Sequence, residues 1–143
     1  MNINKLSLLC FTAIMLILFS ACADASKSAA YPLEGTSWEL VAYRKSQPIS
    51  GTSITMTFKD GQVNGSAGCN SYFGSYQVSA EKIEVSPLGI TEMFCMQPEG
   101  VMDQELMFTA MLIDAQTFKL ADGRLQIYFS NHETLTFDQA ERQ

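Results

Sequence analysis

Positive charge is scarce in this chain of 143 residues. It carries nine Lys and Arg against 15 Asp and Glu, with one histidine, for a formal net charge of −6. Phosphate backbones are held by Lys/Arg patches, so an acidic chain with dispersed bases argues against nucleic acid as a partner. Long apolar runs are scarce too. The longest, Leu6–Phe19, is interrupted only by Ser7 and Thr12 and spans 14 residues, whereas a helix crossing about 30 Å of hydrocarbon needs roughly 20. A transmembrane anchor is therefore the weaker reading. The lone His132 sits in a polar turn. It would have to serve as base if Cys69 were a nucleophile, with Glu99, Asp103 or Glu105 orienting it, and nothing in the spacing makes these converge. A glycine-rich stretch near Gly65 lacks the Lys and the following helix of a phosphate-binding P-loop. No catalytic set is expected, and no internal repeat at solenoid periods is present.

What is there begins with an export signal. Lys5 and the free amine precede the apolar run, and the small residues Ser20 and Ala21 follow it at a cleavage point. Phe19-Ser20-Ala21-Cys22 resembles the bacterial lipobox, with Phe19 where Leu is usual. The resemblance implies that residues 1–21 are removed and that Cys22 is acylated as the first residue of the mature protein. The competing reading is plain cleavage nearby with Cys22 free or discarded. An exposed unpaired thiol is a liability in an oxidising compartment. Stable anchoring takes more than one acyl chain, which a diacylated cysteine supplies. Ala23 after the cysteine, by envelope sorting rules, points to the outer membrane facing the periplasm; Asp24 one place later pulls the other way. The expected membrane partner is thus reached through lipid.

Of the nine bases only Lys5 lies in the signal and none of the 15 acids does, so the mature chain carries a formal −7. Its length suits one domain with a real core. Residues 22–32 hold no large apolar side chain before Tyr31 and read as a lipidated tether. The domain is expected over 33–139, with a polar tail at 140–143. Cys10 leaves with the signal and Cys22 goes to lipid. Cys69 and Cys95 remain, an even pair in an exported protein, so a disulfide is the leading expectation. The alternative is two buried free thiols.

Within the domain the period is mostly two. Trp38, Leu40 and Ala42 alternate with Glu39, Val41 and Tyr43, and Ile54, Met56 and Phe58 alternate with polar residues. Asp60-Gly61 and Asp122-Gly123 are hairpin signals. Further short strands are expected at Gln62–Ser66, Ser75–Val78, Lys82–Val85, Leu88–Phe94, Thr117–Leu120, Arg124–Phe129 and Thr134–Phe137. One segment breaks the pattern. After Pro98-Glu99-Gly100, Met102, Leu106, Ala110 and Ile113 recur at helical spacing, with Val101, Phe108, Met111 and Leu112 widening the apolar face, which predicts a helix over Val101–Ile113. Asp103 and Glu105 near its start suit the helix dipole. The expected fold is mainly β (β-rich α+β): a curved antiparallel sheet or small barrel of about eight short strands with one packed helix.

The most distinctive residues are Gly65, Gly68, Cys69 and Asn70 in one stretch, Thr91, Met93 and Cys95 in a second, and Glu105 in the helix. With Gly35-Thr36-Ser37-Trp38 and Phe108, they closely resemble the META-domain family, which includes the heat-shock-associated HslJ-like proteins. The resemblance spans nearly the whole mature domain. It implies a small β-rich fold with one helix, a loose association with envelope stress, and no established catalytic residues.

The bland alternatives stand beside the sharp ones. Met93, Cys95, Met96, Met102, Met107 and Met111 are soft candidates for Cu(I), but methionine is also a core filler, and no metal or cofactor is expected. Glu105 is expected to bond the loop backbone near Cys69 or cap the helix. Tyr72, Phe73 and Phe94 form either a partner-binding patch or part of the core. The functional expectation is a non-enzymatic envelope lipoprotein serving envelope integrity or stress tolerance through an envelope protein partner. The rivals are a carrier of a small apolar ligand and an inhibitor of a cell-wall enzyme.

Overall fold

The computed structural model describes residues 32–140. The signal expected over 1–21, the lipidation site Cys22, the tether up to Tyr31 and the last three residues of the tail lie outside the described residues. The described elements are β1 (Thr36–Tyr43), β2 (Thr55–Lys59), β3 (Gln62–Ser66), β4 (Ser71–Ser79), β5 (Lys82–Val85), β6 (Gly89–Ile90), α1 (Val101–Ile113), β7 (Ala115–Ala121), β8 (Arg124–Phe129) and β9 (Thr134–Gln139).

Eight strands close into an antiparallel barrel in the order β1-β2-β3-β4-β5-β7-β8-β9, and β9 returns to β1. Successive strands are neighbours, which is the up-and-down solution to the problem of exposed sheet edges. Asp60 (φ 53°) with Gly61 (φ 72°) and Asp122 (φ 54°) with Gly123 (φ 74°) occupy the two left-handed positions that a two-residue hairpin demands. The β5–β7 seam is slender, with Lys82 opposite Thr117 and the Phe118 amide donating to the Glu81 carbonyl at 2.8 Å. The sixth strand is an extension of the fifth. Tyr76 faces Val85 and Phe73 faces Gly89, three steps on β4 against four on its partner, so a bulge lies at Ser86–Leu88.

The alternation read from the sequence sends Trp38, Leu40, Met56, Phe58, Val63, Ile83, Leu125, Ile127, Leu135 and Phe137 into the barrel, all buried. Phe58 and Tyr76 meet edge to face at 4.7 Å. Burial of such side chains contributes about 1.5–3 kcal/mol each. Leu33, wholly buried, enters beside the β2–β3 hairpin, where Gly35 donates to the Phe58 carbonyl. That end also carries the Asp122-Gly123 turn and the C-terminus of β9, since Gln139 donates to the Gly123 carbonyl. At the other end α1 packs on the barrel, its Phe108 ring edge-on to Tyr72 at 5.5 Å.

Three expectations are corrected here. First, β4 starts at Ser71, four residues before the strand expected from Ser75. Tyr72 and Tyr76 point inward with Gly74 between them, and that glycine interrupts the apolar alternation that would have disclosed the strand. Second, only Gly89–Ile90 of the strand expected over Leu88–Phe94 pairs with a neighbour. Beyond Thr91, whose amide still donates to the Ser71 carbonyl, the chain bonds a side chain, Asn70, rather than a strand. Third, α1 has the expected bounds but buries another face. Val101, Gln104, Glu105, Phe108, Thr109, Met111 and Leu112 are buried, while Leu106 is 71% exposed and Ile113 is 46% exposed. The helix has apolar residues on every side, so periodicity could not select the face. Gln104 and Glu105 select it, because their polar groups have partners only on the barrel side.

Candidate functional site

The motif residues converge at the helix end of the barrel. The loop between β3 and β4 is shaped by two glycines. A Cβ on Gly65 would lie 2.0 Å from the Thr55 carbonyl oxygen, so only glycine lets β3 and β2 approach this closely. Gly68 has φ +112°, a conformation that L side chains rarely adopt. The loop then closes with the Ala67 amide donating to the Asn70 carbonyl at 2.7 Å.

Asn70, 2% exposed, is the hub. Its Oδ1 accepts from the Met93 amide at 2.7 Å and from the Thr91 hydroxyl at 2.8 Å. Its Nδ2 donates to the Met93 carbonyl at 3.0 Å and to Glu105 Oε1 at 2.8 Å. Both donors and both acceptors of the amide are thereby used. Toward Met93 the side chain imitates a neighbouring strand, taking both the N–H and the C=O of one residue. The Asn70 backbone amide donates to Glu105 Oε2 at 2.6 Å. Glu105 therefore bonds the loop beside Cys69, one of the two roles expected of it, and gives no dipole cap. Thr91 adds a strand-like link, its amide donating to the Ser71 carbonyl at 3.1 Å.

Cys69 and Cys95 form a disulfide with Cα atoms 6.0 Å apart. Covalent and hydrogen-bonded ties thus fix the same segment, residues 91–96, on the β3–β4 loop and the helix. What the ties present to solvent is apolar. Met93 is 57% exposed, Phe94 81% and Met96 79%, with Phe73 and Ile90 also exposed nearby in the sheet. The open question over the aromatics divides. Tyr72 is core, its hydroxyl donating to the Thr55 carbonyl at 2.8 Å while burial pushes its ionisation far up. Phe73 and Phe94 are surface. The Phe73 ring lies against Gly89, where an added Cβ would stand 2.4 Å from it.

The sharper chemical readings find no support in this geometry. Cys69 is oxidised, and His132 stands at φ 63° in the β8–β9 turn, beside Arg44, Lys45 and Glu133. Three of the glycine-loop amides are taken: Ala67 donates to the Asn70 carbonyl, Gly68 to Ser66 Oγ at 3.2 Å and Asn70 to Glu105. Of the soft-ligand set, Cys95 is in the disulfide and Met111 is buried in the core. No group of three or more His, Cys, Asp or Glu is placed to hold a metal ion among the described residues.

Gln104 was not legible as part of this site. Its Oε1 accepts from the Ile49 amide at 2.6 Å and its Nε2 donates to Thr52 Oγ1 at 3.0 Å, fixing the long β1–β2 loop against the opposite flank of α1. An amide between two acids, Asp103 and Glu105, in the first turns of the helix carried no signal of this role. No buried side-chain N or O lacks a partner among the described residues.

The fold and site define a class: a small up-and-down β-barrel capped by one helix, whose motif residues brace an exposed loop. The chain belongs to the META domain family, whose pattern matches residues 31–142. It is similar to a protein from Burkholderia xenovorans solved by NMR, at 31% identity and a TM-score of 0.65, over 77% of this chain and 85% of that one. A second NMR structure is similar at 20% identity and a TM-score of 0.60, covering 74% and 90% of the two chains. A DUF4847 family protein from Bacteroides vulgatus, known from a crystal structure, matches at 12% identity and a TM-score of 0.56, over 78% and 97%. The last two likenesses show the fold alone. None of the curated proteins matches the chain.

Proposed function

We propose that this chain is a non-enzymatic, lipid-anchored protein of the bacterial envelope that serves envelope integrity or stress tolerance through protein contacts, made by the segment 91–96. One observation carries the reading. Met93, Phe94 and Met96 are exposed on a segment held by a disulfide and by the Asn70–Glu105 network. Ordering an apolar surface before a partner arrives lowers the entropic cost of association. Motif residues that hold such a surface, and leave no reactive group beside it, suit recognition better than catalysis. A carrier is disfavoured because Trp38, Met56, Phe58, Ile127 and Phe137 fill the barrel axis.

The chain enters the barrel at Pro32 and Leu33, at the hairpin end, while segment 91–96 lies at the helix end. Two experiments test the two halves. Labelled palmitate should enter the wild type and not Cys22→Ser; equal labelling refutes the anchor. A photocrosslinking residue at Phe94 should give a discrete protein adduct in intact cells, absent when the same residue replaces Lys119. No adduct at position 94, or the same adducts from both sites, refutes the contact reading.

A further inference from the structure

We infer that the helix end of the barrel is a docking face for a cationic amphipathic helix of a partner protein. This rests on the contact reading above and adds the chemistry of the partner. The face has two parts. Segment 91–96 supplies Met93, Phe94 and Met96. The outward side of α1 supplies Leu106 and Ile113, exposed, and Met102, partly exposed. The parts adjoin, because Glu105, in the turn between Met102 and Leu106, shares the amide of Asn70 with the backbone of Met93.

Charge selects the occupant. From Ile83 to Phe118 the chain has six acids and no Lys, Arg or His. Glu105 is consumed internally, but Glu92, Glu99, Asp103 and Asp114 are exposed around the apolar surface. An anionic lipid surface would be repelled by that rim, and a second copy of the same face would set acid against acid. A helix with an apolar stripe flanked by Lys and Arg satisfies both components. The apolar bed also has the right texture. Three of its side chains are methionines: Met93 and Met96, exposed, and Met102, partly exposed. Their flexible, polarisable side chains adapt to partners of differing shape. The stripe Met102, Leu106, Ala110 and Ile113, which has core spacing and is not core, is thereby accounted for.

The test uses the full lipidated chain in zwitterionic nanodiscs and a fluorescent 18-residue Leu/Lys peptide patterned as an amphipathic helix. Saturable binding above that of empty nanodiscs is expected, weakening several-fold as salt rises from about 0.05 to 0.3 M. The double variant Phe94→Ser/Met96→Ser, and separately Leu106→Ser, should each weaken binding about tenfold. Glu99→Gln/Asp103→Asn should weaken it several-fold and flatten the salt dependence, while Leu120→Ser at the hairpin end should change nothing. In methyl NMR the shifts should concentrate on Met93, Met96 and Met102. Equal binding of a scrambled Leu/Lys peptide, preference for a Leu/Glu peptide, stronger binding to anionic vesicles, or saturation by self-association would each overturn the inference. A discrete Phe94 crosslink in cells without peptide binding in vitro would overturn the cationic-helix inference and leave the contact reading intact.

Discussion

Replacing Glu105 by glutamine is nearly isosteric and should nonetheless be among the more damaging single changes available at this site. Both carboxylate oxygens of Glu105 accept hydrogen bonds, from the Asn70 backbone amide at 2.6 Å and from Asn70 Nδ2 at 2.8 Å. The glutamine side chain of Glu105→Gln would offer one acceptor and set an NH₂ group against the second donor. Asn70 cannot flip to relieve the conflict, because its Oδ1 already accepts from the Met93 amide and the Thr91 hydroxyl. One bond is lost, at about 1–1.5 kcal/mol, and two facing donors are left buried, at about 1–3 kcal/mol. The expected loss is about 3 kcal/mol. For a domain of this size that is a fall in Tm of about 12 °C. Urea unfolding with the disulfide intact should show the lower midpoint at unchanged m-value. Asp103→Asn, on the exposed side of the same helix, should stay within about 0.5 kcal/mol of wild type. Hydrogen exchange should show the Met93 amide losing protection in Glu105→Gln. A loss below about 1 kcal/mol, or effects of Glu105→Gln and Asn70→Ala that simply add, would refute the network as the brace of the segment.

Three further outcomes follow from the same geometry. Replacing Cys69 and Cys95 by serine frees a loop of about 27 residues and should lower stability by roughly 3–4 kcal/mol in urea unfolding, with Met93 and Phe94 gaining mobility by NMR relaxation. Gly65→Ala should cost about 3 kcal/mol or more, since its Cβ would collide with the Thr55 carbonyl in paired strands, and a thermal melt measures it. Glu34 is held below its usual 4.5 by the Tyr76 hydroxyl, which donates at 2.8 Å, and then by the Asp60 amide. Because its folded pKa is depressed, its contribution is present above pH 4.5 and is lost as pH falls through the folded value. Tyr76→Phe should therefore flatten the acid limb of the stability profile in equilibrium unfolding.

Much of the barrel was readable along the chain because its signals are local. Asp60-Gly61 and Asp122-Gly123 specify turns by backbone sterics, and Met56 and Phe58 or Leu125 and Ile127 specify faces by alternation. Closure was harder to read, since the β5–β7 seam depends on contacts across an inserted helix. The site was legible as a set of residue types before it was legible as an arrangement. Gly65, Gly68, Cys69, Asn70, Thr91, Met93, Cys95 and Glu105 were all singled out from the chain, yet their purpose could have been turn, ligand set or nucleophile. Residues 91–94 were expected to continue a strand because strand propensity says nothing about an asparagine side chain standing in for the next strand.

The amino-acid sequence by itself determined the bounds of the helix, most of the strands, the two sharp hairpins and the set of motif residues. Each of these is governed by neighbours within a few residues. Only the tertiary structure decided which way the helix faces and what the motif holds in place. A helix with apolar residues on every side has no preferred face until Glu105 finds the two donors of Asn70 and Gln104 finds Ile49 and Thr52. Those partners lie 35 and more residues away in the chain. The same choice turns Leu106 and Ile113 outward and leaves an apolar, acidic-rimmed face at the helix end of the barrel. Local pattern encodes a propensity for burial, and the long-range hydrogen bonds of two buried polar side chains decide which side of the helix is buried.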